Sequence, residues 1–135
     1  MDDYIEQIRA AQLPTAYSGE LPDEDQIIRI EEQVLMPLPD DLRAFLLTVS
    51  DVICGSLTPV TAADPNEITY LPEMAAVAWD QGLPRFLLPI CEYADGYYYI
   101  DPDGGVGCWL HGNEEEGEVQ WPSIWDWAVD IWLMS

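Results

Sequence analysis

The stretch FLLPICEYADGYYYIDPDGGVGCWLH, residues 86–111, decides the fold. Phe86 to Tyr93 is an apolar run, and Asp95-Gly96 is a dipeptide that favours tight hairpins because both residues tolerate positive φ. Tyr97 to Asp101 is aromatic and reads as a second strand. Asp101-Pro102-Asp103-Gly104 places Pro, Asp and Gly where a turn uses them, and Val106 to His111 returns as a third strand. Three short strands joined by two tight turns predict an antiparallel meander. Within the middle strand, Tyr97 and Tyr99 face one way, Tyr98 and Ile100 the other.

Helical signals flank this meander. A short helix is predicted around residues 2–12, followed by a loop through Leu13-Pro14 and Ser18 to Pro22. Asp23, Glu24 and Asp25 precede Ile27, Ile30, Val34 and Leu35, which share one helical face, and acidic residues favour a helix N-terminus. That helix stops near Met36-Pro37. Leu38-Pro39-Asp40-Asp41 opens the clearest amphipathic helix, with Leu42, Phe45, Leu46 and Val49 along one side. Short strands are predicted at Ser56–Val60 and Ile68–Leu71, and a short helix from Glu73 to Trp79, closed by Gln81-Gly82. Ser123 with Asp126 three residues on resembles a capping box for a final helix, Ile124–Met134. That helix is apolar nearly all round, with Asp126 and Asp130 as its polar stripe. The expectation is one α+β domain over residues 1–135: an antiparallel-rich sheet with helices packed mainly on one side.

Composition restricts function. Twenty-six carboxylates face four arginines, Arg9, Arg29, Arg43 and Arg85, for a formal charge of −22, and there is no lysine. Binding a nucleic-acid backbone needs clustered cations to displace counterions, and anionic membrane surfaces need the same, so both are excluded as partners. A basic partner would be attracted from a distance. The opening Met1-Asp2-Asp3-Tyr4 has no basic, apolar leader, and no stretch nears the ~20 apolar residues of a membrane span, so the cytoplasm is the expected location. Cys54, Cys91 and Cys108 are odd in number and lie in apolar surroundings, the pattern of buried free thiols.

Chemistry-bearing motifs are few. The single histidine, His111, would have to serve any Ser-His-Asp or Cys-His arrangement. Cys108 and His111 lie three apart, with Cys91 further back, but structural zinc sites show paired short spacings, so a strand-end histidine is the expected reading. Asp101-Pro102-Asp103-Gly104-Gly105 begins like a calcium loop, yet proline holds the second place and Gly112 the twelfth, so it reads as a turn. The glycines at 104, 105 and 107 are not followed by a helix, and a P-loop lysine is impossible. No cofactor, metal or catalytic residue is expected. Trp125, Trp127, Trp132 and Phe45 read as core. Tyr97, Tyr99 and Trp109 have two readings, as core or as anchors of an interface if one meander face stays open.

Further motifs carry a resemblance. Ile27 to Glu31 followed by Leu38-Pro39-Asp40-Asp41-Leu42-Arg43-Ala44-Phe45-Leu46, then Leu88-Pro89-Ile90-Cys91, Tyr97-Tyr98-Tyr99-Ile100-Asp101 and Trp121-Pro122-Ser123-Ile124-Trp125-Asp126-Trp127, resemble in order and spacing the SUKH superfamily. The superfamily is named partly for a fungal regulator of cell-wall assembly. The likeness runs from about residue 25 to the end. Where the family commonly has Asn-Gly-Gly after the Phe-Leu helix, this chain has Ser50-Asp51-Val52-Ile53-Cys54-Gly55. The resemblance implies an α+β fold without enzymatic activity. Many bacterial members are immunity proteins that neutralise toxins, often nucleases, and fungal members are signalling scaffolds. The expected function is direct binding of a basic protein such as a toxin domain, with a scaffold or regulatory module for an endogenous partner as the alternative. The candidate contact residues are Tyr97, Tyr99, Asp101, Asp103, Trp109, Glu114, Glu115 and Glu116.

Overall fold

A computed structural model of the chain describes residues 2–12, 21–93, 96–110 and 119–135. Helix α1 covers Asp2–Ala10, α2 Glu24–Val34, α3 Asp40–Val49 and α4 Leu71–Gln81; strands β1 (Leu88–Tyr93), β2 (Gly96–Ile100) and β3 (Val106–Leu110) follow, and α5 (Ile124–Trp127) runs into a π-helical turn, Ala128–Trp132. The three strands form one antiparallel sheet in the order β1-β2-β3. The result is the single α+β domain that the meander and its flanking periodicities predict.

Helices α2 and α5 start where the sequence supplies side-chain partners for free backbone N–H groups. At α2 the Asp23 carboxylate accepts the Gln26 N–H at 2.8 Å, and the Gln26 side-chain oxygen accepts the Asp23 N–H at 2.9 Å. This reciprocal pair satisfies two donors that the first turn otherwise leaves open. Ile27, Ile30 and Val34 are buried as their spacing predicts, and so are Leu42, Phe45, Leu46 and Val49 on α3, but Leu35, expected on the same face, caps the end of α2 with left-handed backbone and is exposed. Arg43 clamps α3 to α2 by donating to Glu24 at 3.1 Å and Glu31 at 3.0 Å, while Glu31 also accepts the Leu38 N–H at 2.8 Å. Arg9 on α1 forms a two-pronged pair with Asp51 at 2.8 and 3.1 Å and donates to the Thr48 carbonyl.

Three predicted elements come out differently. Ser56–Val60 is not a strand: its extended backbone meets the sheet at one isolated bridge, Pro59 with Cys91, and the Val60 N–H donates to Ile90. Proline has no N–H with which to extend a ladder. Ile68–Leu71 likewise yields only the bridge Thr61–Tyr70, because Leu71 and Pro72 already form the first turn of α4. Proline is favoured there, where no N–H is required, so the helix begins two residues ahead of Glu73. It ends as expected at Gly82, whose φ of 116° suits a residue without Cβ.

The closing helix is also not regular. After Trp127 the turn widens, and the Leu133 N–H bonds to the Ala128 carbonyl five residues back. Five residues of an α-helix advance about 140° beyond a full turn, which would set Trp127 and Trp132 on different sides. A wider π turn brings them closer to one face, and both are buried, at 0% and 1% exposure. Trp127 packs on Tyr98, with ring centres 5.4 Å apart, and Trp132 on Phe45 at 5.6 Å. One core thus joins the sheet, α3 and the closing helix.

Candidate protein-binding surface

The turn after β2 is built by its own side chain. One Asp101 carboxylate oxygen accepts the N–H groups of Asp103 and Gly105, both at 2.9 Å, and the Gly104 N–H bonds to the Asp101 carbonyl at 3.0 Å. Asp101 is therefore committed to holding the turn, in the manner of an Asx-turn. Asp103 is exposed beside it. Below this turn an apolar cleft of about 270 Å³ opens between Leu38, Pro39, Phe86 and Pro102. Glu114, Glu115 and Glu116 lie outside the described residues, as does His111.

The aromatic candidates are placed in the core. Tyr97, Tyr99 and Trp109 retain 5%, 1% and 1% of their surface. Tyr97 and Trp109 are cross-strand partners whose rings stack at 6.5 Å, and Gly82 at the end of α4 approaches Trp109. Tyr99 lies across Gly107, where any side chain would run into its ring. The opposite face of β2 is closed by Trp121 and Trp127 against Tyr98. The sequence reading that left one meander face open is corrected on this point: both faces of β2 are covered. Tyr97 borders a surface hollow with its remaining exposed edge.

No thiol is poised for nucleophilic chemistry. Burial raises the pKa of Cys54 and Cys108 and pushes that of Cys91 up to about 12, where the reactive thiolate is scarce at neutral pH. Burial likewise raises Tyr98 to about 12. Among the described residues, no group of His, Cys, Asp and Glu side chains is arranged to hold a metal ion. No helix among them is long and apolar enough to cross a membrane.

Positive charge is largely consumed internally. Arg9 is held by Asp51 and Arg43 by Glu24 and Glu31. Arg85 sits 3.6 Å from the centre of the Trp79 ring and donates to the Val34 carbonyl at 3.0 Å. Among the described residues, most exposed carboxylates carry no such partner, so the surface field is strongly negative.

Two features escaped the sequence reading. The segment from Ser50 to Tyr70, irregular apart from its bridges, borders two hollows of about 630 and 580 Å³. Their walls combine residues as distant in the chain as Asp51, Glu92 and Trp132. The only local signal was apolar side chains inside a polar loop, Ile53 and Ile68, which are 42% and 85% exposed.

Comparison with known proteins places this architecture. A crystal structure of a protein from Pseudomonas syringae pv. tomato is 49% identical over the whole of both chains and superposes with a TM-score of 0.91. None of the curated proteins matches. The family model described as SMI1-KNR4 cell-wall, of the SUKH_5 type, matches residues 1–133, so the likeness includes α1 and does not begin only near residue 25. With almost its whole length matched in sequence, this chain belongs to the SMI1-KNR4 family of the SUKH superfamily.

Proposed function

We propose that the chain is an immunity protein, which binds a basic toxin domain of the nuclease type directly and without catalysis. The observation that carries this reading is the charge distribution: 26 carboxylates against four arginines, three of which are bonded inside the fold. Domains that act on nucleic acid present cationic surfaces to phosphates, and a strongly anionic partner complements and occludes such a surface. The buried, protonated thiols agree with a role in binding rather than turnover. A cytoplasmic location follows from this role.

The family's description, which refers to the cell wall, favours a second reading, a scaffold for an endogenous partner. Capture of partners from the native cell at low and high salt separates the two. The immunity reading expects a basic partner that salt releases and whose nuclease activity the chain inhibits in proportion to its concentration. A neutral partner retained in high salt would replace it with the scaffold reading.

A further inference from the structure

The two hollows beside residues 50–70 share a ridge formed by Leu57, Thr58, Glu67 and Thr69, so they are the two halves of one groove. The ridge is held in place: the Thr61 N–H donates to the Thr69 carbonyl at 2.8 Å, the two threonine hydroxyls meet at 2.9 Å, and the Leu71 N–H returns to Thr61 at 2.9 Å. One half runs under α4 to Met74, Val77 and Glu92; the other runs to Val52, Asp64 and Trp132.

The groove has one sign of charge. Among the described residues, no arginine or histidine lines either half. Glu67 on the ridge, Glu92 in the first half and Asp64 in the second are all exposed. Asp51 also borders the second half, but Arg9 already neutralises it. Between the carboxylates the surface is apolar, with Leu57 half-buried and Ile68 and Val77 85% and 49% exposed. Trp132, like Trp127, carries a buried donor without an acceptor. It forms part of the wall of the second half, retains 1% of its surface, and its indole N–H has no hydrogen-bond partner. Buried polar groups are normally paired, and π-helical turns such as the one carrying Trp132 occur often at functional sites.

We infer that this groove receives an extended, cationic segment of the partner protein. This deepens the proposed function and rests on its assignment of a basic protein partner. Side chains two apart in an extended chain point to the same side, about 7 Å apart, so two cationic residues so spaced can lie across the ridge and reach carboxylates in both halves. The aliphatic stems of these cationic side chains pack on Leu57 and Ile68. Low-dielectric walls concentrate the field of Asp64, Glu67 and Glu92 more than an open surface would.

The test is a titration of the full-length chain, labelled with nitrogen-15, by the peptide acetyl-Gly-Lys-Leu-Lys-Gly-amide at low salt. The expected result is a saturable shift of the Trp132 indole N–H signal and of the Thr69 backbone amide. The triple variant Asp64→Asn, Glu67→Gln and Glu92→Gln is expected to weaken the peptide about tenfold, as three desolvated rim charges of modest individual strength should. A second triple variant, Glu6→Gln, Glu32→Gln and Asp80→Asn, removes the same charge from exposed helical positions and is expected to change affinity by less than about twofold. A Trp132 indole and Thr69 amide that stay fixed through the titration overturn the groove assignment. Equal weakening by both triple variants also overturns it, and leaves the wider reading of a basic partner standing. That wider reading falls on a separate result, partner capture that is insensitive to salt.

Discussion

Trp109 and Trp127 show how far residue type alone can be read. Both are fully buried, and truncating either to alanine removes a bulky side chain from a packed site. Trp127→Ala and Phe45→Ala are each expected to destabilise the fold by about 3–5 kcal/mol, measured by denaturant unfolding, and Trp109→Ala by a similar amount. A stable Trp109→Ala chain with faster partner dissociation would restore that residue as an interface anchor. The sequence could not choose between core and anchor for Tyr97, Tyr99 and Trp109. Alternation along a strand says that two faces exist, but what covers each face comes from Gly82, Trp121 and Trp127 elsewhere in the chain. Titration at this scale has a definite sign. Burial raises Tyr98 from its ordinary 10.0 to about 12 and Cys91 from 9.0 to about 12, so the unfolded chain loses these protons first. Between pH 9 and 12 the folded state therefore holds more protons than the unfolded one, and stability falls as pH rises. Tyr98→Phe should flatten this decline in an alkaline unfolding series, and an unchanged slope would mean that Tyr98 ionises as freely folded as unfolded.

At the scale of elements, α2 and α3 were legible because four or more apolar positions repeat at helical spacing next to acidic first turns. The meander was legible because turn chemistry at Asp101–Gly104 punctuates it. Ser56–Val60 was misread because β-compatible residues do not make a strand unless a neighbour offers a ladder, and here the backbone pairs with β1 at one isolated bridge, Pro59 with Cys91, and one further bond from Val60 to Ile90. The π turn was invisible because its apolar residues satisfy an α-helical pattern equally well. Helix α2 ends on Leu35, which has a φ of 61° and is 80% exposed. A non-glycine residue in this left-handed region is disfavoured by roughly 1 kcal/mol, and glycine is the usual occupant after a helix. Leu35→Gly is accordingly expected to raise the unfolding midpoint slightly, by about 0.5–1 kcal/mol of stability. A loss of stability would show that the Leu35 side chain packs more than its exposure indicates.

The whole molecule is governed by its charge. The Arg9–Asp51 and Arg43–Glu24–Glu31 pairs tie helices together, but among the described residues most carboxylates have no cationic partner. Self-repulsion of this kind weakens when salt shortens the Debye length from about 30 Å at 0.01 M to about 3 Å at 1 M. The melting temperature should consequently rise with salt, and a fall would mean that the few ion pairs outweigh the repulsion. The charge was fully legible in the sequence; the groove was not, because Asp64, Glu67, Glu92 and Trp132 meet only through the fold. The acidic run Glu114–Glu116 belongs to this scale too, since its contribution is to the field. Its reversal to lysine should slow association while leaving dissociation nearly unchanged. The central claim is that the negative field recruits a basic protein partner. Its most direct measurement is the association rate constant with the captured partner as a function of ionic strength. The expected result is a fall of at least about tenfold between roughly 0.02 and 0.3 M salt, with little change in the dissociation rate. An association rate that is constant or rises over that range would contradict it.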